Sequence, residues 1–247
     1  MNVFIVLLLA LVTLHIIIDF YCQPSSWLQD KIEKKYKSIK LAIHSLLHGL
    51  VACAAMVFVS DDIGLLFACA AIIAISHWLI DLAKIYVEQS SGQKLSYFVI
   101  DQALHLSVLA LIALYLSGLG LNAFDNVAAL ISSKNMLILL VYLTIFKPVS
   151  VFIGIVLKRY TPTQTLENQG LILGGEIIGY LERLLILTFI INGQYAVIGF
   201  ILAAKSIFRF GELNNNNSQN LTEYVLLGSL LSITITSILG LFVVLLI

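Results

Sequence analysis

The chain has 247 residues, of which 60% are hydrophobic and only 11% are charged. A soluble globular protein has roughly 45–50% apolar and about 25% charged residues, so this composition excludes most soluble folds. Lysine plus arginine and aspartate plus glutamate each number 14, so no net positive charge favours a nucleic acid partner. The three cysteines, Cys22, Cys53 and Cys69, match neither a disulfide framework nor a zinc-ribbon spacing, and we expect reduced thiols.

Apolar stretches long enough to cross a bilayer recur along the whole chain. A hydrocarbon core about 30 Å thick needs about 20 apolar residues of helix, because a helix satisfies its own backbone hydrogen bonds. The sequence predicts an all-α polytopic bundle of eight transmembrane helices, at approximately residues 2–20, 41–60, 63–83, 97–117, 135–157, 170–192, 194–211 and 222–246. The first lacks the basic and small-residue flanks of a cleaved signal peptide, so we expect it to be retained.

The predicted spans divide the chain into two bundles. Residues 1–117 form a first four-helix bundle and residues 135–247 a second. Residues 118–134 contain an apolar stretch too short to cross a bilayer, so we expect an external loop or interfacial segment there.

Cations alternate between the predicted loops and indicate the orientation. The loops after spans one, three, five and seven hold eleven lysines and arginines, whereas the other loops hold only Lys134. Cationic loops stay in the cytoplasm, so both termini are expected outside a cytoplasmic (inner) membrane.

Ionisable residues recur four apart in each of the first four spans. All five histidines of the chain belong to these pairs. The pairs are His15 and Asp19, His44 and His48, His77 and Asp81, and Asp101 and His105. Residues four apart lie on one face of a helix, and the predicted orientation puts every pair at the cytoplasmic end. We expect an outer layer of Asp19, His44, Asp81 and Asp101 and a deeper layer of the other four, about 6 Å further in.

Imidazoles and carboxylates in two layers predict a site for one or two divalent cations. Zinc is favoured, with manganese or iron as alternatives, because neutral imidazole suits all three. A metal with an open position lowers the pKa of bound water to about 7, which provides a nucleophile for hydrolysis. Asp81 or Asp101 is the candidate catalytic base, and Gln23 and Gln102 are candidate donors to a substrate oxygen.

Three other interpretations stay open at this level. The cluster suits a divalent-cation or proton transporter, although spans one to four carry few polar residues on the outer side. It also suits a non-enzymatic scaffold whose polar network is structural. Di-iron oxidation uses similar helical pairs, but those sites are richer in histidine.

The ligand motifs carry a resemblance to a known family. The run HIIIDFYCQPSSWLQDKIEKK, then His44 and His48, then HWLIDLAK and IDQALH, resembles the bacterial membrane family called domain of unknown function 3307, over residues 10–110. A more distant likeness to membrane-bound metal-dependent hydrolases implies hydrolysis, by analogy only.

The second half carries a different set of charges within its spans. Lys147, Glu176, Glu182 and Arg183 are expected to form a mutually neutralising network, because unpaired charges at that depth cost several kcal/mol. Alternatively, Lys147 and Arg183 bind the phosphate of a lipid-linked or small-molecule substrate. Pro148 is expected to kink the fifth span.

Overall fold

The fold is taken from a computed structural model. The structure describes residues 3–91, 94–118, 132–160, 169–210 and 219–247. The predicted loop or interfacial segment at 118–134 lies almost wholly outside the described residues. All regular secondary structure in the described part of the chain is helical, which confirms the predicted all-α class.

The chain divides into two compact units, Met1–Leu140 and Val141–Ile247. Ten α-helices follow one another in the described residues: α1 Val3–Ile16, α2 Ser25–Lys34, α3 Ile39–Met56, α4 Ile63–Ser91, α5 Lys94–Gly118, α6 Ser133–Ile145, α7 Lys147–Leu157, α8 Gln169–Ile191, α9 Tyr195–Phe210 and α10 Gln219–Leu246. A π-helical turn, Ile17–Tyr21, continues α1, and 3₁₀ turns at Lys35–Lys37 and Lys158–Tyr160 follow α2 and α7.

Six stretches of helix in the described residues are long and apolar enough to cross a membrane. They are Val3–Tyr21, Ile39–Met56, Ile63–Glu88, Lys94–Gly118, Ser133–Leu157 and Glu223–Leu246. The other two predicted spans correspond to α8, whose interior carries Glu176, Glu182 and Arg183, and to α9, whose apolar part is only Tyr195–Ser206. The multi-pass helical character is therefore supported, whereas the count of eight stays a prediction.

The fifth predicted span is interrupted where the sequence predicts a kink. Helix α6 ends at Ile145, and α7 begins at Lys147 with Pro148 in its first turn. Proline has no backbone N–H to donate, so it is tolerated at the start of a helix and breaks a helix interior. Phe146 between the two helices has non-helical backbone angles, φ −81° and ψ −100°.

An apolar core fills the first unit beside its polar cluster. Helices α1, α3, α4 and α5 and the turn after α3 contribute its buried side chains, which are Val6, Leu7, Leu11, Ala52, Met56, Val59, Leu66, Cys69, Ala70, Ile73, Leu109, Ile112, Ala113 and Leu116. Helices α3 and α4 approach closely at Gly49, where a Cβ atom would lie 2.6 Å from the carbonyl oxygen of Ala70. Because Gly49 follows His48, this contact holds the turn of α3 that carries His48 against α4.

Candidate metal centre

The structure brings all eight predicted ligand residues together in the first unit. They come from α1 and its π-helical turn, α3, α4 and α5. The five imidazoles and Asp101 are buried, while the Asp19 and Asp81 side chains are 12% and 14% exposed. The partly exposed carboxylates therefore form the accessible side of the cluster.

Asp19 lies among four imidazoles from three helices. Its Oδ1 atom is 3.1 Å from the Nε2 atoms of both His44 and His48 and 3.5 Å from that of His77. Its Oδ2 atom is 3.5 Å from Nε2 of His15. Ring nitrogens therefore converge on one carboxylate, which is the arrangement that a ligand group needs.

Asp81 and Asp101 converge on the fifth imidazole. Nε2 of His105 lies 3.5 Å from Oδ1 of Asp81 and 3.5 Å from Oδ1 of Asp101. His77 connects this part of the cluster to Asp19, since its Nε2 is also 3.8 Å from Oδ1 of Asp81. The ring of His77 stacks between those of His48 and His105, with centroids 3.7 and 4.0 Å away.

Three groups within the cluster have ligand atoms close enough to share a cation. Within each group the atoms all lie within 4.8 Å of one another. The groups are His15 with Asp19, His48 and His77, then His44 with His77 and Asp81, and then Asp81 with Asp101 and His105. Bonds of roughly 2.0–2.1 Å to a tetrahedral ion place the ligand atoms about 3.3–3.4 Å apart. The observed separations of 3.1 and 3.5 Å fit that spacing.

The three groups mix the two layers that the sequence predicts. Asp19 of the outer layer shares a group with three histidines of the deeper layer, and His105 shares one with two outer carboxylates. Asp19 lies in a π-helical turn, in which the N–H of Cys22 bonds to the carbonyl of Ile17 across five residues instead of four. The turn changes the direction in which Asp19 leaves the helix, and such turns are frequent at functional sites.

Two buried polar atoms of the third group have no hydrogen-bond partner among the described residues. They are Oδ1 of Asp101 and Nε2 of His105. Buried polar atoms in native proteins almost always have a partner, so an unsatisfied pair aimed at one place requires an explanation. Both atoms are metal-ligating types, and a cation between them would satisfy both.

Two lysines expected in cytoplasmic loops contact carboxylates of the cluster. Nζ of Lys31, on α2, donates to Oδ2 of Asp81 at 2.8 Å, and Nζ of Lys84, on α4, donates to Oδ2 of Asp101 at 2.8 Å. Lys31 is buried although it lies in a helix of mostly exposed residues. Lys84 lies three residues after Asp81 on the same face of α4, and this spacing is the one feature of the sequence that predicts its contact with the cluster. Nothing in the sequence separates Lys31 from the lysines around it.

Of the two glutamines proposed to contact a substrate, Gln102 lies inside the cluster. Its amide nitrogen donates to Oδ2 of Asp19 and to Oδ2 of Asp101, at 3.2 Å in each case, and its oxygen is 3.5 Å from Nε2 of His15. The amide nitrogen of Gln23 is buried with no hydrogen-bond partner among the described residues. Gln23 therefore has a donor available, whereas the donors of Gln102 already hold two carboxylates.

The charges of the second unit pair differently from the expected network. Glu182 accepts from Lys205 at 2.6 Å, and Glu176 accepts from the hydroxyl of Tyr180. Arg183 is buried and donates to the hydroxyls of Ser232, at 3.1 Å, and Ser150, at 2.6 Å. Its Nε atom has no hydrogen-bond partner among the described residues. Lys147 is exposed at the start of α7.

The fold and the buried cluster define a helical, membrane-compatible protein with a His/Asp cluster that could hold a metal ion. A family model described as a protein of unknown function (DUF3307) matches residues 3–138, more than half of the chain. The chain belongs to this family, which confirms the resemblance carried by its ligand motifs. All eight cluster residues fall within the matched segment. No curated protein and no solved structure matches the chain.

Proposed function

We propose that the first unit is the divalent-metal centre of a membrane hydrolase. Its ligands are the eight histidines and aspartates of the cluster, with zinc favoured and manganese or iron as alternatives. The proposed substrate is lipid-linked or a small molecule at the membrane surface, since the cluster lies among membrane-compatible helices. The analogy with membrane-bound metal-dependent hydrolases supports the reaction class.

The observation that carries the metal assignment is the unsatisfied pair formed by Asp101 and His105. A purely structural network in a low-dielectric interior gains its stability from complete hydrogen bonding, and it loses stability where an atom is left out. Here the carboxylate oxygen and the ring nitrogen are both buried and lie 3.5 Å apart without a hydrogen bond. A cation accounts for both atoms at once.

The proposed chemistry assigns a role to each side chain around the ion. A bound divalent cation lowers the pKa of a coordinated water to about 7. Of Asp81 and Asp101, the one whose Oδ1 does not hold the ion would accept the proton of an attacking water through that oxygen, because each Oδ2 is already held by a lysine. Gln23 and Gln102 are proposed substrate contacts in the first unit. Within the second unit, taken by itself, Lys147 and Arg183 are proposed to bind an anionic group.

The proposed function includes a position and an orientation of the chain in the membrane. We retain eight crossings, both termini outside and an inner-membrane location, which the distribution of cations supports. In that orientation the cluster lies at the cytoplasmic end of its helices. Transport through the cluster receives less support, because the described core beyond it is apolar and offers an ion no polar path.

A structural polar network is the second candidate function. The 3.1 Å contacts of Asp19 with His44 and His48 favour it, because that distance also suits hydrogen bonds. In that case the cluster stabilises the bundle, or its assembly with a partner, without any ion.

Elemental analysis of the purified full chain separates the two candidates. The wild type, His48→Ala, Asp81→Ala and the control Ser107→Ala are each incubated with Zn²⁺ in detergent and passed through a desalting column. Ser107 is an exposed residue of α5 whose hydroxyl bonds only its own helix. The metal proposal predicts bound zinc in the wild type and the control, with a marked loss in both ligand variants. Equal and negligible zinc in all four proteins would refute it.

Hydrolysis is tested separately on the metal-loaded chain. The protein is reconstituted in phosphatidylglycerol vesicles, and the water-soluble and lipid products are followed by mass spectrometry. The metal-depleted chain and Asp101→Asn are the controls. Product formation that requires both the metal and Asp101 supports the hydrolase, whereas products that form equally without the metal contradict it.

A further inference from the structure

We infer that the cluster binds two divalent cations and that the second enters together with a phosphate-type dianion. This inference rests on the proposed metal site and extends it to the number of ions and the class of ligand. It follows from how the ligand atoms divide and from the charges that surround them.

The first and third ligand groups have no residue in common. One contains His15, Asp19, His48 and His77, and the other contains Asp81, Asp101 and His105. Each has at least three ligand atoms within 4.8 Å, so each is complete enough to hold an ion. A single zinc, manganese or iron ion cannot use both sets fully, because together they offer seven residues and these ions take about four to six ligands.

The two groups are close enough to act as one binuclear centre. Nε2 of His77 lies 3.5 Å from Oδ1 of Asp19 and 3.8 Å from Oδ1 of Asp81, so a single imidazole borders both groups. Two-metal sites in hydrolytic enzymes hold their ions about 3.5–4 Å apart, which keeps both in contact with one substrate group. The short distances from His77 to a carboxylate in each group are compatible with two ions held about 3.5–4 Å apart.

The formal charge of the cluster decides what must accompany the second ion. Three carboxylates and the ammonium groups of Lys31 and Lys84 leave one negative charge when the histidines are neutral. The first divalent ion changes this to one positive charge, and a second alone would raise it to three. Uncompensated charge in a low-dielectric site is costly, so the second ion requires an anion. A phosphate-type dianion restores the single positive charge of the one-ion state.

An anion would reach the two ions past Asp19, Asp81 and Lys84, whose side chains are partly exposed. The side chains of Asp19 and Asp81 are 12% and 14% exposed, and that of Lys84 is 26% exposed, whereas those of the five histidines are 1–3% exposed. The protein thus presents one ligand oxygen from each group and a cation towards the accessible side of the cluster. A phosphate accepts from an ammonium group and bridges two metal ions with separate oxygens.

Binding stoichiometry tests this inference on the full chain in detergent. Mn²⁺ binding is measured by equilibrium dialysis with elemental analysis, without added anion, with inorganic phosphate and with short-chain phosphatidate. We expect about one ion per chain without an anion and about two with either anion. The anion that acts at the lower concentration identifies the source of the phosphate, free or lipid-borne.

Ligand variants assign the two ions to their groups. His48→Gln removes a ligand of the first group only, and His105→Gln removes a ligand of the third group only. Each should bind about one ion fewer than the wild type in the presence of phosphate. Ser107→Ala is the control, and elution from a sizing column checks that each variant is folded.

The outcomes separate this inference from the proposed function. No bound metal under any condition refutes the metal site itself. One ion per chain with and without phosphate overturns the binuclear inference and leaves the metal site intact. Two ions irrespective of any anion overturn the phosphate assignment.

Discussion

Lys31 and Asp81 lie fifty residues apart in the chain, yet the Nζ atom of the first is 2.8 Å from the Oδ2 atom of the second. Lys31 comes from the short helix α2 and Asp81 from the long helix α4. Both side chains are largely buried, at 3% and 14% exposure. A lysine from a peripheral helix therefore supplies the countercharge for a proposed metal ligand.

Replacing Lys31 by methionine should affect the metal-free and metal-bound proteins in opposite ways. Without metal, Asp81 becomes a buried carboxylate with no cationic partner, which costs about 3–5 kcal/mol of stability. Removal of the ammonium also removes its repulsion of a divalent ion, which is about 7 kcal/mol at roughly 5 Å and an effective dielectric constant of about 20. Loss of the positioning contact weakens metal binding by only about 10–100-fold. We therefore expect at least about tenfold tighter Mn²⁺ binding in Lys31→Met, measured by competition with a chelator.

Lys34→Met on the same helix is the matched control for Lys31→Met. Lys34 is 59% exposed and pairs with Asp30, so its removal should leave metal affinity unchanged and cost at most about 1 kcal/mol of stability. Weaker Mn²⁺ binding by Lys31→Met than by the wild type would show that positioning outweighs repulsion.

Gly49→Ala should destabilise the first unit. The added methyl group would meet the carbonyl oxygen of Ala70 at 2.6 Å and the Cβ of Ala74 at 3.0 Å, so α3 and α4 must separate. Overpacking of this kind costs about 1–3 kcal/mol. Because His48 is adjacent, zinc binding should weaken together with the thermal midpoint.

Gly118→Ala is the control for the helix contact, since a Cβ at Gly118 meets no atom within 4 Å. Thermal unfolding followed by circular dichroism compares the two variants with the wild type. A Gly49→Ala protein with an unchanged midpoint would mean that the two helices adjust to the methyl group without cost.

Chelation should lower the thermal stability of the wild type if the cluster holds an ion. A ligand present at 100 times its Kd stabilises the folded state by about 2.7 kcal/mol. We expect the midpoint of thermal unfolding to fall on treatment with a chelator and to recover when Zn²⁺ is restored. In His105→Gln both changes should be smaller, because one ligand of the third group is absent. A wild-type midpoint that ignores both treatments would favour the structural network.

Asp30 should make the docking of α2 sensitive to acid. The ammonium of Lys34 lowers the pKa of the Asp30 carboxyl below its ordinary 3.8, and the hydroxyl of Ser38 donates to the same carboxyl at 2.6 Å. Because the folded-state pKa is depressed, this contribution is fully present above the unfolded pKa and is lost as pH falls through the folded pKa. We expect the connection between α2 and Ser38 to weaken below about pH 4.

Tryptophan fluorescence reports on that connection. Trp27 lies on α2, and Trp78→Phe leaves it as the only tryptophan of the chain. The emission of Trp27 should change between about pH 5 and pH 3 in this background, and Asp30→Asn should remove most of the change. A transition of the same size in Asp30→Asn would assign it to another group.

The sequence was sufficient to identify the residues of the cluster because their pattern is local. Each pair is four residues apart in the chain, late in the first and third predicted spans and early in the second and fourth, so antiparallel packing of successive spans brings the pairs together. The position of the kink was also predictable, because Pro148 cannot donate a backbone hydrogen bond in a helix interior.

Features that depend on tertiary packing were beyond the sequence. Lys31 becomes a partner of Asp81 only after α2 docks, and its spacing from that residue carries no signal. The pairing of Glu182 with Lys205 likewise joins two helices whose facing sides composition does not reveal. The π-helical turn at 17–21, which carries Asp19, likewise has no sequence pattern that would predict it.

That turn makes the length of the segment around Asp19 as important as its composition. An ordinary α-helix advances about 100° per residue, so deleting Ile17 or Ile18, which precede Asp19 in the turn, would swing every later side chain by roughly that angle. Asp19 would then leave the four imidazoles that it now contacts. Exchanging one apolar side chain of the turn for another would leave its direction unchanged. The position of Asp19 in the first ligand group therefore depends on the number of residues in the turn. A comparison of hydrophobicity alone does not reveal that dependence.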